Sequence, residues 1–179
     1  MPAEILAVQR VTTAGEPMPG SQQESPGQPG LPGVPGADVA WLARAVALAG
    51  LCPPSATAFS VGAVVVAACG ALLSTGFSRE TGPADHAEEA ALAKLAGAVP
   101  AGATLYSSLE PCAARASRPR PCAELIIAAG LRRVVIAWRE PPLFVPGGGA
   151  EVLEAAGVAV TEIPALAAAA RVPNAHLLG

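Results

Sequence analysis

Apolar residues fall into short groups along the chain, and the spacing within each group assigns it an element. Val39, Leu42, Val46 and Ala49 recur at intervals of three and four. That spacing predicts an amphipathic helix, with Asp38 as its cap and Gly50 as its stop. The following CPPSATAF reads as a loop, because consecutive prolines exclude helix and ladder alike. Residues 61–68 form a Val-rich run, a Cys-Gly turn follows, and 71–75 completes a predicted β-hairpin whose first strand is buried on both faces. The polar stretch GFSRETGPAD leads into a helix predicted over 86–98. Beyond it come a strand over 104–108, a helix over 122–129 closed by Gly130, and a strand over 133–138. A loop over 141–149, a helix over 150–156, a strand over 158–163 and an Ala-rich helical tail complete the pattern. Strands alternating with helices at this spacing predict an α/β layered domain without internal repeats.

Residues 14–37 break the pattern. They are dense in Pro, Gly, Gln and Ser and hold too little apolar surface to offset their ordering entropy. The chain is therefore divided into a disordered Pro/Gly-rich leader over 1–37 and one folded domain over 38–179, a suitable size for a single core. No apolar run reaches the ~18–20 residues of a membrane span. No basic segment followed by an apolar one marks a secretory signal. A cytoplasmic location and no membrane partner are the expectation. The net charge of −3 and the 3% aromatic content argue against a nucleic-acid partner, which calls for a basic face or stacking rings.

Candidate chemistry is concentrated in three short words: His86-Ala87-Glu88 opening a helix, Pro111-Cys112 directly after a strand, and Pro121-Cys122 opening another helix. One imidazole and two thiolates make a sound zinc set that leaves a fourth tetrahedral position for water. Helix starts favour the thiolate form, and a proline there loses nothing by lacking an N–H. Glu88 stands two residues from His86, the wrong helical spacing for a shared metal but suited to a carboxylate that faces substrate and moves a proton. Glu89 reads as a solvated neighbour, Arg132-Arg133 as a solvated helix end, and Trp138 as core. Cys52 and Cys69 read as small buried hydrophobes. For Glu110, capping and substrate contact are equally compatible with the sequence.

The H-A-E word followed by P-C and a second Cys resembles the zinc-dependent cytidine deaminase-like superfamily. Most members carry P-C-x-x-C, whereas here the spacing is C-x9-C. That longer, basic, Pro-rich insertion is similar to the riboflavin-pathway pyrimidine deaminases, the diaminohydroxyphosphoribosylaminopyrimidine deaminase branch. The words SLEPC, RPRPCAELIIAAGLRRVVIA, EPPLFVPGGGAEVLEAAGVAV and VPNAHLLG agree, so the resemblance spans residues 38–178. It implies a three-layer α/β/α sandwich around a mixed sheet of about five strands. It also implies Zn2+ held by His86, Cys112 and Cys122, with Glu88 as the catalytic proton shuttle. The implied reaction is hydrolytic deamination of an aminopyrimidine, the diaminopyrimidine ribosyl phosphate of riboflavin synthesis. Arg118 falls where the branch has a phosphate-contacting Lys, and Arg115 where it has a His. The branch's P-N-P-x-V-G stretch is replaced by Ala58-Phe59-Ser60-Val61-Gly62, which leaves Phe59 as pocket wall and Ser60 to supply a hydrogen bond. Asn174 and His176 resemble the last ordered stretch of the family. The resemblance further implies a homodimer and a separate reductase. Two alternatives stay open: a deaminase of another nucleobase, nucleoside or nucleotide, and a non-catalytic zinc-stabilised binding subunit.

Overall fold

The computed structural model describes residues 36–95, 97–144 and 148–179. The leader expected over 1–37 lies outside the described residues, except Gly36 and Ala37. Helix α1 (Gly36–Ala49) starts two residues before Asp38. Asp38 is therefore not its cap. Its buried carboxylate turns inward, where Arg133 donates to both oxygens at 2.8 and 2.7 Å and the Tyr106 hydroxyl donates at 2.8 Å. The same contact shows that Arg133 is not a solvated helix end.

The hairpin forms as β1 (Gly62–Val66) and β2 (Leu72–Phe77), and β1 is buried along its whole length. Three further strands follow, β3 (Thr104–Ser107), β4 (Arg133–Ile136) and β5 (Ala159–Glu162). They build one mixed sheet in the order β2-β1-β3-β4-β5. β1 runs antiparallel to both of its neighbours, while β3, β4 and β5 are parallel. Parallel strands need crossovers, which α3 (Cys122–Ala128) and α4 (Gly149–Ala155) provide. α1 and α5 (Ala167–Arg171) cover one face of the sheet, and α2 (Ala87–Ala93), α3 and α4 cover the other. This is the expected three-layer α/β/α sandwich. Val64, Val65, Leu105, Val134 and Ile136 are fully buried between the layers, each burial contributing about 1.5–3 kcal/mol.

Two close approaches depend on glycine. A Cβ at Gly62 would lie 2.7 Å from the Ala49 amide of α1, and one at Gly76 would lie 2.5 Å from the Ala91 amide of α2. Each helix can therefore lie directly on the sheet. α2 is shorter than the expected 86–98. It ends at Ala93 with Lys94 as its cap, and Gly97, with a φ of 138°, lies beyond that end in a conformation no helix contains. The C-terminus is two 3-10 turns around α5 followed by α6 (Ala175–Leu178). Cys69 is exposed in the hairpin turn and Cys52 is half-buried, so neither is a core residue.

Candidate active site

His86 immediately precedes α2 in an extended conformation, with φ −93° and ψ 154°. Cys112 lies in the turn that leaves β3, and Cys122 is the first residue of α3. The Cys122 amide donates to Cys112 Sγ at 3.4 Å and the Ala123 amide donates to the Cys112 carbonyl at 3.2 Å, which locks the two cysteines together. His86 Nδ1 lies 3.6 Å from Cys112 Sγ and 3.4 Å from Cys122 Sγ, and all three donor atoms lie within 4.8 Å of one another. Zinc–sulfur and zinc–nitrogen bonds of about 2.3 and 2.0–2.1 Å at a tetrahedral angle give an S···N edge of about 3.6 Å. The donor set and its spacing therefore fit zinc. The hydrogen bond from Cys122, then His86, brings the Cys112 thiol down to about 4 despite burial. Cys122, which donates that bond, is pushed up.

Glu88 is 3% exposed and lines the same cavity as His86 and Cys112. Ser107 Oγ, at the end of β3, donates to its Oε1 at 2.7 Å. Burial raises the Glu88 carboxyl above the usual range, while Ser107 and His86 pull it back. A carboxyl moved toward neutrality and fixed by one donor is equipped to accept and return a proton.

The cavity has a volume of about 510 Å³. Phe59, Leu109 and Phe144 form its apolar wall, with Phe59 edge-on to Phe144 and to Trp138 at centroid distances of 5.1 and 5.9 Å. Trp138 is buried, as expected of core. Ser60 sits behind Phe59 and is not part of the lining. Its hydroxyl accepts from Arg79 at 2.8 Å, and its backbone is paired with the Asn174 side chain at 2.6 and 2.9 Å. The Cys112–Cys122 loop is stitched onto α2 by charge. Arg115, almost fully buried, donates to Glu89 at 2.8 Å, to the Ala84 carbonyl at 3.1 Å and toward Cys122 Sγ at 3.9 Å. Arg118 pairs with Asp85 at 2.8 Å and with Glu89 at 3.1 Å, and does not line the cavity. Glu89 is accordingly an ion-pair partner and not a solvated neighbour.

For Glu110 the structure decides between the two readings open in the sequence, and three further participants, Glu140, Ser107 and Arg79, escaped the sequence reading. Glu110 is a cap: its two oxygens accept from the Glu140 and Ala150 amides at 2.8 and 2.7 Å. Glu140 reaches the cavity, and burial, with Cys112, Glu88 and Glu110 nearby, raises its carboxyl to about 8. Ser107 and Arg79 complete the set. The E-P-P word at 140–142 was the one local signal among them. Among the described residues no helix is long and apolar enough to cross a membrane.

One imidazole and two thiols beside a buried carboxyl, on a sheet of this order, form a candidate zinc site. Residues 36–138 match the family described as the cytidine and deoxycytidylate deaminase zinc-binding region, and the chain belongs to that family. It is 39% identical over 126 residues to the diaminohydroxyphosphoribosylamino-pyrimidine deaminase of Schizosaccharomyces pombe, a match covering 68% of this chain and 31% of that one. It is 39% identical over 102 residues to the riboflavin biosynthesis protein RibD of Escherichia coli, covering 57% and 27%. The solved structure of Acinetobacter baumannii RibD superposes with a TM-score of 0.68 at 34% identity, covering 79% of this chain and 39% of the other. The matched part is thus well under half of each of these longer relatives.

Proposed function

We propose that the chain catalyses hydrolytic deamination of an aminopyrimidine, and that its substrate is the diaminopyrimidine ribosyl phosphate of riboflavin biosynthesis. The observation that carries this reading is the buried Glu88 carboxyl in one cavity with the donor atoms of His86 and Cys112. A metal site that only holds a fold together has no use for such a carboxyl. The likeness to the fission-yeast deaminase supports the substrate class.

His86 Nδ1, Cys112 Sγ and Cys122 Sγ would hold the zinc ion, which supplies Lewis acidity and lowers the pKa of water. Glu88 takes one proton from the attacking water and delivers it to the departing amine. The carbon–oxygen bond forms, the carbon–nitrogen bond breaks, and ammonia leaves. Ser107 keeps Glu88 oriented throughout. Phe59, Leu109 and Phe144 supply the apolar surface that holds a flat ring and excludes bulk water. A homodimer, and a reductase acting on the product, belong to the same proposal.

A second reading has one observation behind it. Ala58, which replaces the family Asn, lines the cavity, and the Ser60 hydroxyl is already engaged by Arg79. Loss of that amide favours a different base. The test is ammonia release by the zinc-loaded protein from the diaminopyrimidine ribosyl phosphate, its dephosphorylated form, cytosine, cytidine, deoxycytidylate and guanine. Turnover of the phosphorylated diaminopyrimidine supports the proposal. Turnover of another member without it moves the protein to the second reading.

A further inference from the structure

The resemblance placed the phosphate grip on the loop between the two cysteines, but the charges there are already matched. Arg115 borders the cavity, but its almost fully buried guanidinium is held by Glu89; Arg118, which does not line the cavity, is held by Asp85 and Glu89. Bringing a phosphate to either guanidinium would set it against those carboxylates. The cavity itself is lined by Asp85, Glu88, Glu110 and Glu140, so its lining is rich in acids.

Arg79 is different. Like Arg115 it lines the cavity, but among the described residues no carboxylate pairs with it. Its Nε, Nη1 and Nη2 donate to the Pro53 carbonyl at 2.8 Å, the Phe59 carbonyl at 3.0 Å and the Ser60 hydroxyl at 2.8 Å. All three acceptors are neutral, so the guanidinium is fixed in place while its charge stays uncompensated. Of five N–H donors, three are used and two remain. Burial disfavours its charged form, an effect an anionic ligand would reverse. The backbone adds a second sign of a built site. Arg79 has a φ of 63°, which marks it as the positive-φ non-glycine residue of the described chain. A left-handed conformation at such a residue costs about 1–2 kcal/mol. Such strain concentrates at ligand clamps. The acceptors for Arg79 are fixed in turn, since Asn174 brackets the Ser60 backbone from the far end of the chain.

We infer that Arg79, on the loop between β2 and α2, anchors the anionic group of the substrate, a phosphate monoester, in place of the arginines between the cysteines. This rests on the proposal that the substrate is phosphorylated, and it makes Arg79 the residue that separates phosphorylated from unphosphorylated substrates.

The test is calorimetric binding of ribose 5-phosphate, and separately of the dephosphorylated nucleoside, to the zinc-loaded protein. Wild type, Arg79→Gln, Arg79→Lys and Arg118→Gln are compared. Loss of a charged hydrogen-bonding partner is expected to weaken ribose 5-phosphate about 10- to 100-fold in Arg79→Gln. Arg79→Lys should retain part of the affinity, Arg118→Gln should stay near wild type, and nucleoside affinity should hold in all of them. No binding to wild type, a loss confined to Arg118→Gln, or an equal loss of phosphate and nucleoside in Arg79→Gln would each overturn it. The last pattern would mean that Arg79 only braces the wall. Because the probe is binding and not turnover, failure of the riboflavin-pathway substrate in the ammonia assay leaves this result separately readable.

Discussion

Glu110 offers the sharpest test of how the site is held. Its carboxyl is 4% exposed, its amide donates to the Trp138 carbonyl at 3.0 Å, and its two oxygens take the Glu140 and Ala150 amides. One side chain thus joins the turn carrying Cys112, the exit of β4 and the start of α4. Glu110→Gln is nearly isosteric, yet an amide presents one acceptor and one donor. One backbone N–H then faces an NH2 group and has nowhere to go. Losing a charge-assisted bond costs about 1.5–3 kcal/mol, and a buried donor left without a partner costs about 1–3 kcal/mol. The two descriptions overlap, so we expect a loss of about 3 kcal/mol for Gln and slightly more for Ala. At this chain size that lowers Tm by about 10 °C. The assay is urea and thermal unfolding of the zinc-loaded protein at matched metal concentration, because bound metal adds to apparent stability. A Glu110→Gln protein within about 0.5 kcal/mol of wild type, the range of a neutral surface change, would refute the capping role.

Further outcomes follow from other contacts. A Cβ at Gly149 would strike the Pro111 carbonyl, so Gly149→Ala should push α4 off the cysteine turn and weaken zinc retention in a chelator competition more than tenfold. Ser107→Ala removes a donor that favours ionised Glu88, so the acid limb of the kcat/KM profile should move to higher pH; a shift the other way would contradict the assignment. The hydrogen bond from Arg133, against burial and aided by Tyr106, holds the Asp38 carboxyl below its ordinary 3.8. Its stabilisation is therefore complete above that value and is lost as pH falls through the lower folded one. Asp38→Asn should cost about 2 kcal/mol at pH 7, with the difference from wild type shrinking in acid, as read by urea unfolding across pH.

What the sequence disclosed is what local chemistry determines. The spacing of Val39, Leu42, Val46 and Ala49 describes α1, and the Val run describes a strand buried on both faces, because those patterns arise within a few residues. The words around His86, Glu88, Cys112 and Cys122 are equally local, and the fold brings them together. Asn174 and Ser60 are 114 residues apart, and nothing near either announces their pairing. Arg115 and Arg118 read in sequence as phosphate contacts on the loop between the cysteines. Their partners Asp85 and Glu89 belong to the other side of the site and meet them only when the loop folds back on α2. Asp38 looked like a cap because caps and buried ion pairs use the same residue, and only the position of Arg133 separates them.

The central claim is that His86, Cys112 and Cys122 hold zinc for a deamination in which Glu88 moves the proton. It is tested most directly by measuring zinc content and ammonia release together, for wild type and Glu88→Gln, with the diaminopyrimidine ribosyl phosphate as substrate. The account predicts one zinc per chain in both proteins, ammonia from wild type, and a rate at least about 100-fold lower in the variant, the low end of what a general acid–base group contributes. Full activity of Glu88→Gln, or a zinc-loaded wild type that releases ammonia from no amine in the substrate panel, would contradict it.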